Sequence, residues 1–132
     1  MIYLDSCALI KLIVEEPDSF ALEKHLNKSE DTWVSSEIIV VEIHRALHRL
    51  QLRAEAKEAA NMLLGNLTLL SVGKILTDAS DLDGQHLRSL DALHLATALS
   101  LKPPPREFLT YDKRLAEAAI NTGLTVSSPT TV

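Results

Sequence analysis

The chain is 132 residues long with a formal net charge of −5, 46% hydrophobic and 23% charged, a balance that suits one soluble domain over residues 1–132 and leaves little room for a second core. Its single cysteine, Cys7, excludes an internal disulfide and makes a reducing compartment the default. The acidic excess excludes nucleic-acid binding by bulk charge, but a divalent cation held among clustered acids would reverse the local sign.

Residues 2–5 read as a short core strand ending on Asp5, and residues 6–14 resume an apolar pattern at helical spacing. A charge at such a junction is costly to bury unless donors or a cation meet it. Pro17 and Asp18 open a second helical run through Leu22 and Leu26, and residues 32–35 form a second, β-rich strand. A long helix is expected over 36–52 with Ser35 or Ser36 as its N-cap, followed by an alanine-rich helix over 53–65. Residues 67–72 give a third strand, and Ile75, Leu76, Ala79 and Leu82 recur at helical spacing until Gly84. Ser89 caps an apolar helix running to Leu101, which Pro103, Pro104 and Pro105 stop. Residues 107–110 form a fourth strand, 112–121 the last helix with Gly123 as its C-terminal cap, and 124–127 a fifth strand. Strands separated by helices imply a three-layer α/β/α sandwich around a mostly parallel, roughly five-stranded sheet.

In such a sheet Asp5, Asp91 and Asp112 fall at the edge where the strands end, the usual ligand crevice. Glu42 is the only charge between Ile38 and Ile43, about two turns into its expected helix, and points partly inward. Each acid alone also fits as a cap, a first-turn residue at a helix dipole, or half of a surface ion pair. Together they are carboxylates that would repel one another, and a hard cation with oxygen ligands relieves that repulsion. Mg²⁺, with Mn²⁺ as a substitute, suits an all-oxygen set, because no Cys/His cluster offers a zinc site.

With these residues placed, the chain resembles the PIN-domain ribonucleases, and among them the VapC toxins of bacterial toxin–antitoxin pairs. YLDSCALIKL resembles the opening block with Asp5 and Ser6. SSEIIVVEIHRAL resembles the second, with Glu42. LRSLDALHLATAL is similar to the third, with Asp91, and LTYDKRLAEAA to the last, with Asp112. Cys7 stands where many relatives have a second Ser or Thr, a change expected to matter little if the thiol acts as a compact apolar group.

The resemblance implies a metal-dependent endoribonuclease neutralised by a cognate antitoxin. Asp5, Asp91 and Asp112 would hold the metal, and Glu42 would complete the set or orient the attacking water. Ser6 and Thr110 would hydrogen-bond the scissile phosphate or a carboxylate, and Arg45 and Arg49 would form part of a phosphate-contacting rim for RNA. Lys11, Lys113 and Arg114 are further candidates beside the acids. Aromatic residues other than Tyr111 are expected in the core, so base stacking would not be the main grip. A homodimer is expected.

No apolar run approaches the roughly 20 residues of a membrane span, and no signal peptide is visible, so a cytoplasmic protein is expected. The alternative is a PIN-fold RNA- or protein-binding module that does not cut. A phosphatase using Asp5 as nucleophile would want a second acid at position 7, which is Cys7. A Cys7–His nucleophilic pair has no supporting arrangement.

Overall fold

Apolar β-rich runs between helices do form strands: β1 (Ile2–Leu4), β2 (Trp33–Ser36), β3 (Thr68–Leu70), β4 (Glu107–Leu109) and β5 (Val126–Ser127). The computed structural model describes residues 1–131. All strand pairs are parallel, and the order is β3-β2-β1-β4-β5. Between them run α1 (Ser6–Lys11), α2 (Ser19–Leu26), α3 (Ile39–Arg49), α4 (Arg53–Gly65), α5 (Leu76–Ser80), α6 (Ser89–Leu99) and α7 (Lys113–Asn121).

The strand pleat sorts side chains into two cores. Ile2, Leu4 and Leu109 face Leu9, Leu22, Ile43, Leu47 and Ala60, which places α1 to α4 on one side of the sheet. Tyr3, Val34 and Phe108 face Leu95, Ala98, Leu115 and Ala119, which places α6 and α7 on the other. Ile75 and Ala79 fasten α5 to α6 at Ala96. The result is the expected three-layer sandwich. Central β1 has no charged residue because both of its faces are covered.

The strand order reverses direction between β1 and β4. Chain segments leave these adjacent strands toward opposite faces, so a crevice opens beyond their carboxyl ends. Asp5 directly follows β1, and Thr110 to Asp112 directly follow β4. The functional region is therefore set by topology before any side chain is considered.

Several boundaries differ from the sequence reading. Ser35 and Ser36 belong to β2, where they pair with Leu69 and Leu70, so neither is the N-cap of α3. Ser35 Oγ instead donates to the Leu4 carbonyl at 2.6 Å. Consequently Glu42 stands in the first turn of α3 rather than two turns in. Helix α1 stops at Lys11, short of Val14. Ser89 is the first residue of α6 and not its cap, which is Arg88 without a side-chain bond. Gly123 does follow α7 with φ +94°, and the Leu124 N–H returns to the Ala119 carbonyl at 3.2 Å. Phe20, expected in the core, is 71% exposed.

Candidate active site

All four acids stand at helix beginnings. Asp5 is the N-cap of α1, with its carboxylate accepting from the Ala8 N–H at 3.0 Å. Asp112 is the N-cap of α7 and accepts from the Leu115 N–H at 3.0 Å. Glu42 and Asp91 lie in the first turns of α3 and α6. Helix N-termini carry partial positive charge, so four of them aimed at one crevice favour carboxylates there.

Asp5 is the most enclosed, 3% exposed. Besides the Ala8 N–H, its carboxylate receives the Thr110 hydroxyl in a short hydrogen bond. The Cys7 thiol donates to both its oxygens, at 3.0 and 3.2 Å. Burial pushes the Asp5 carboxyl above the usual range, and the Cys7, Thr110 and Ala8 donors work against that. Cys7 therefore does more than pack: it also accepts the Tyr111 N–H at 3.2 Å, tying the start of α1 to the segment after β4. Burial, then the charge of Asp5, push its thiol up to about 12, which leaves it a donor and no nucleophile.

Glu42 is neither isolated nor paired with Arg45 or Arg49. The Ser6 hydroxyl donates to its Oε2 at 3.2 Å, and its Oε1 lies 2.7 Å from His94 Nε2. Tyr3 Oη lies 2.8 Å from Nδ1 of the same ring. Because a carboxylate only accepts, Nε2 carries a proton and donates to Glu42, and in that tautomer Nδ1 accepts a hydrogen bond from the Tyr3 hydroxyl. Tyr3 and His94 are 0% and 1% exposed, so this chain runs through the core from the second layer to the crevice. His94 follows Asp91 by three residues on α6, close to one helical turn, which carries it from the crevice into the core. The sequence reading passed over both residues. The one available signal was a histidine inside an otherwise apolar helix, one turn after an acid.

Asp91 senses the charge of the other acids. Burial raises its carboxyl above the ordinary range, the negative charges of Asp112 and Asp5 raise it further, His94 lowers it, and Glu42 adds the smallest rise. Among the described residues it has no hydrogen bond or ion pair of its own. It lines a cavity of about 270 Å³ with Asp112, Arg88, Lys113 and Arg114. As placed, no three His, Cys, Asp or Glu side chains among the described residues lie close enough together to hold a metal ion. The donor chemistry nonetheless suits a hard divalent cation: Asp91 and Asp112 line one cavity, and Asp5 and Glu42 add only further oxygen donors.

The remaining candidates divide. Ser6 and Thr110 hold Glu42 and Asp5, respectively, so they serve carboxylates in this structure. Arg45, one turn after Glu42 on α3, lines a groove with Val40, Val41, His44, His48 and Arg53 rather than the cavity of Asp91 and Asp112. Arg49 is exposed in the last turn of α3, at the other end of the helix from Glu42. Lys11 sits over the Tyr111 ring at 4.7 Å and pairs with Glu16 at 3.6 Å. The cations at the acid cavity are Lys113, Arg114 and Arg88, the last unmarked in the sequence reading.

Comparison with known proteins shows the family and the fold. The PIN domain family profile matches residues 2–121. Ribonuclease VapC46 of Mycobacterium tuberculosis is 42% identical over 129 residues, covering 97% of this chain and 97% of that protein. Among solved structures, the Mycobacterium tuberculosis toxin VapC20, described as cleaving the sarcin–ricin loop, superposes with a TM-score of 0.76 at 15% identity, over 98% of this chain and 100% of that one. A toxin–antitoxin complex from Klebsiella pneumoniae superposes with a TM-score of 0.71 at 19% identity over the full length of both chains. At those identities the structures speak for the fold.

Proposed function

Since the chain belongs to the PIN-domain family of VapC ribonucleases, we propose that it is the toxin of a toxin–antitoxin pair and hydrolyses RNA phosphodiesters with Mg²⁺ or Mn²⁺ at the crevice between β1 and β4. The observation that carries this reading is the Asp91 carboxyl, which has no partner among the described residues and lines one cavity with Asp112, Arg88, Lys113 and Arg114. Burial first, then the charges of Asp112 and Asp5, raise it above the ordinary range. Asp5, Asp91 and Asp112 would hold the cation, with Glu42 beside them. When bound, the cation supplies positive charge that lowers the pKa of water and offsets charge on the leaving oxygen.

The chain's own contribution is placement. Ser6 and His94 fix the two Glu42 oxygens from opposite sides, so that Glu42 can accept the proton of an attacking water in one orientation. Thr110 and Cys7 immobilise Asp5. Arg88, Lys113 and Arg114 have no ion-pair partner among the described residues, and they stand where an incoming phosphate would need compensating charge. They offset the acidic balance locally, as RNA binding requires.

The antitoxin is a second protein, consistent with neighbours solved as toxin–antitoxin complexes. Phe20 on α2 and Val41 on α3, 71% and 64% exposed, offer apolar surface to it or to a second copy in a homodimer. Among the described residues no helix is long and apolar enough to cross a membrane.

The test is cleavage of a mixed RNA pool with Mg²⁺ or Mn²⁺. Asp5→Asn and Asp91→Asn are each expected to lower the rate by more than about 100-fold, since even outer-shell changes at metal sites cost 10–100-fold. EDTA should abolish cleavage. Activity surviving both substitutions, or surviving EDTA, would sink the nuclease reading. Expression without the antitoxin should arrest growth, and folded protein expressed harmlessly would count against the toxin role.

A further inference from the structure

A second and larger cavity, of about 710 Å³, adjoins the acid cavity. One wall is the segment between α5 and α6, residues 81–87; the other is the outer face of α7. Arg114, Glu117, Ala118 and Asn121 follow one another at i, i+3, i+4 and i+7, so a single helical stripe faces that segment. The two cavities are joined twice. Arg114 lines both, and Leu87 of the larger is followed directly by Arg88 of the smaller.

The lining has three kinds of group, and each restricts the occupant. Leu82, Leu87 and Ala118 give apolar contact. Asp83 and Glu117, with Asp81 at the start of the segment, line it with carboxylates, which repel a phosphate. Gln85 and His86 stand at an ordered turn: Gly84 takes φ +119°, and the Leu87 N–H donates to its carbonyl at 3.0 Å. A planar, uncharged, hydrogen-bonding group fits such a cleft, and the size lies within the range of small-ligand pockets. Single-stranded RNA supplies that group as a splayed base, which proteins take up by stacking on residues such as His and by hydrogen bonds to its edge.

Resting on the nuclease reading above, we propose that this cleft binds the base next to the scissile phosphate and selects bases that carry an exocyclic amino group. The phosphate stays at the mouth with Arg114 and Arg88, where the cations are, and the base enters where the acids are. Carboxylates accept hydrogen bonds and cannot donate, so Asp83 and Glu117 suit the exocyclic amino groups of adenine (N6), cytosine (N4) and guanine (N2); uracil has no such group and offers a carboxylate only its ring N3–H. Selection of RNA sequence is thereby separated from the acids that carry the chemistry.

The test compares kcat/KM on four short single-stranded RNAs that differ only in the base beside the cleavage point. The wild-type protein should favour the three amino-bearing bases over uracil by about tenfold or more, the scale of one good base contact. In Asp83→Asn with Glu117→Gln the four values should converge. Arg114→Ala should instead lower all four alike, as loss of a phosphate contact does. A preference unchanged in the double variant, or a wild type indifferent to that base while still cutting, would overturn the cleft assignment and leave the nuclease reading standing. A wild type that cuts none of these RNAs and nothing in the mixed pool would remove both.

Discussion

At the residue scale, the site depends on side chains that touch no substrate. His94 bridges Glu42 and Tyr3 inside the core, so each end of the chain depends on the other. Removing the phenol oxygen in Tyr3→Phe leaves His94 Nδ1 buried without a donor, which should cost about 1–3 kcal/mol in urea unfolding. The same change frees the ring to turn, and cleavage is expected to fall by roughly tenfold with KM little changed, the lower end for groups that orient metal-site residues. Equal activity in Tyr3→Phe would show that Glu42 is held by Ser6 alone. Cys7 gives the complementary expectation. Its thiol, pushed up to about 12, should resist iodoacetamide at pH 8 in the folded protein and react on unfolding, read by mass spectrometry. Cys7→Ser keeps a donor to Asp5 and should retain most activity, whereas Cys7→Ala removes it.

At the element scale, each helix start does two jobs, and substitution can separate them. Asp112 caps α7 through the Leu115 N–H and also lines the acid cavity. Asparagine caps as well as aspartate, whereas alanine loses about 0.5–2 kcal/mol. Asp112→Asn should therefore keep thermal stability near wild type while cutting RNA cleavage sharply, and Asp112→Ala should lose both. An active Asp112→Asn would mean that the residue is only a cap. This double duty also explains what was legible in the sequence. The acids could be read because helix starts gather where a parallel sheet ends, and the apolar strands between them set the layer order. The start of α3 could not be read locally. Ser35 and Ser36 have the residue types of an N-cap, but pairing with β3 draws them into the sheet and shifts Glu42 into the first turn. Long-range pairing overrode a local preference. The places of Arg45 and Arg49 were not legible either: four-residue spacing keeps them near one side of α3 but does not say that Arg45 enters the groove with Val40 and His48 or that Arg49 stands in the last turn. His94 remained hidden because its partners come from β1 and α3, far off in sequence.

At the scale of the whole molecule, the crevice destabilises the chain that contains it. The Asp5 and Asp91 carboxyls are raised in the folded protein, so between the ordinary carboxylate value near 4 and those raised values the native state holds protons that the unfolded chain has released. The slope of unfolding free energy with pH is then negative: stability falls as pH rises through that window and levels off above it. Glu107, hydrogen-bonded by Ser127 and His25, and Asp31, held at about 2 by Arg106, act in the opposite sense, losing their contribution only on acidification. Metal-free protein should accordingly be most stable in mildly acidic buffer and melt earlier at pH 8. A cation bound among the acids reverses this by mass action, adding about 2.7 kcal/mol at a hundredfold excess over Kd. Asp91→Asn removes the carboxyl whose charge is resisted, so at pH 8 without metal it should melt higher than wild type while gaining little from Mn²⁺. Calorimetric scans of both proteins at pH 5 and 8, with Mn²⁺ and with EDTA, read all of these together. A wild type insensitive to Mn²⁺, or an Asp91→Asn protein stabilised by it just as strongly, would place the cation elsewhere.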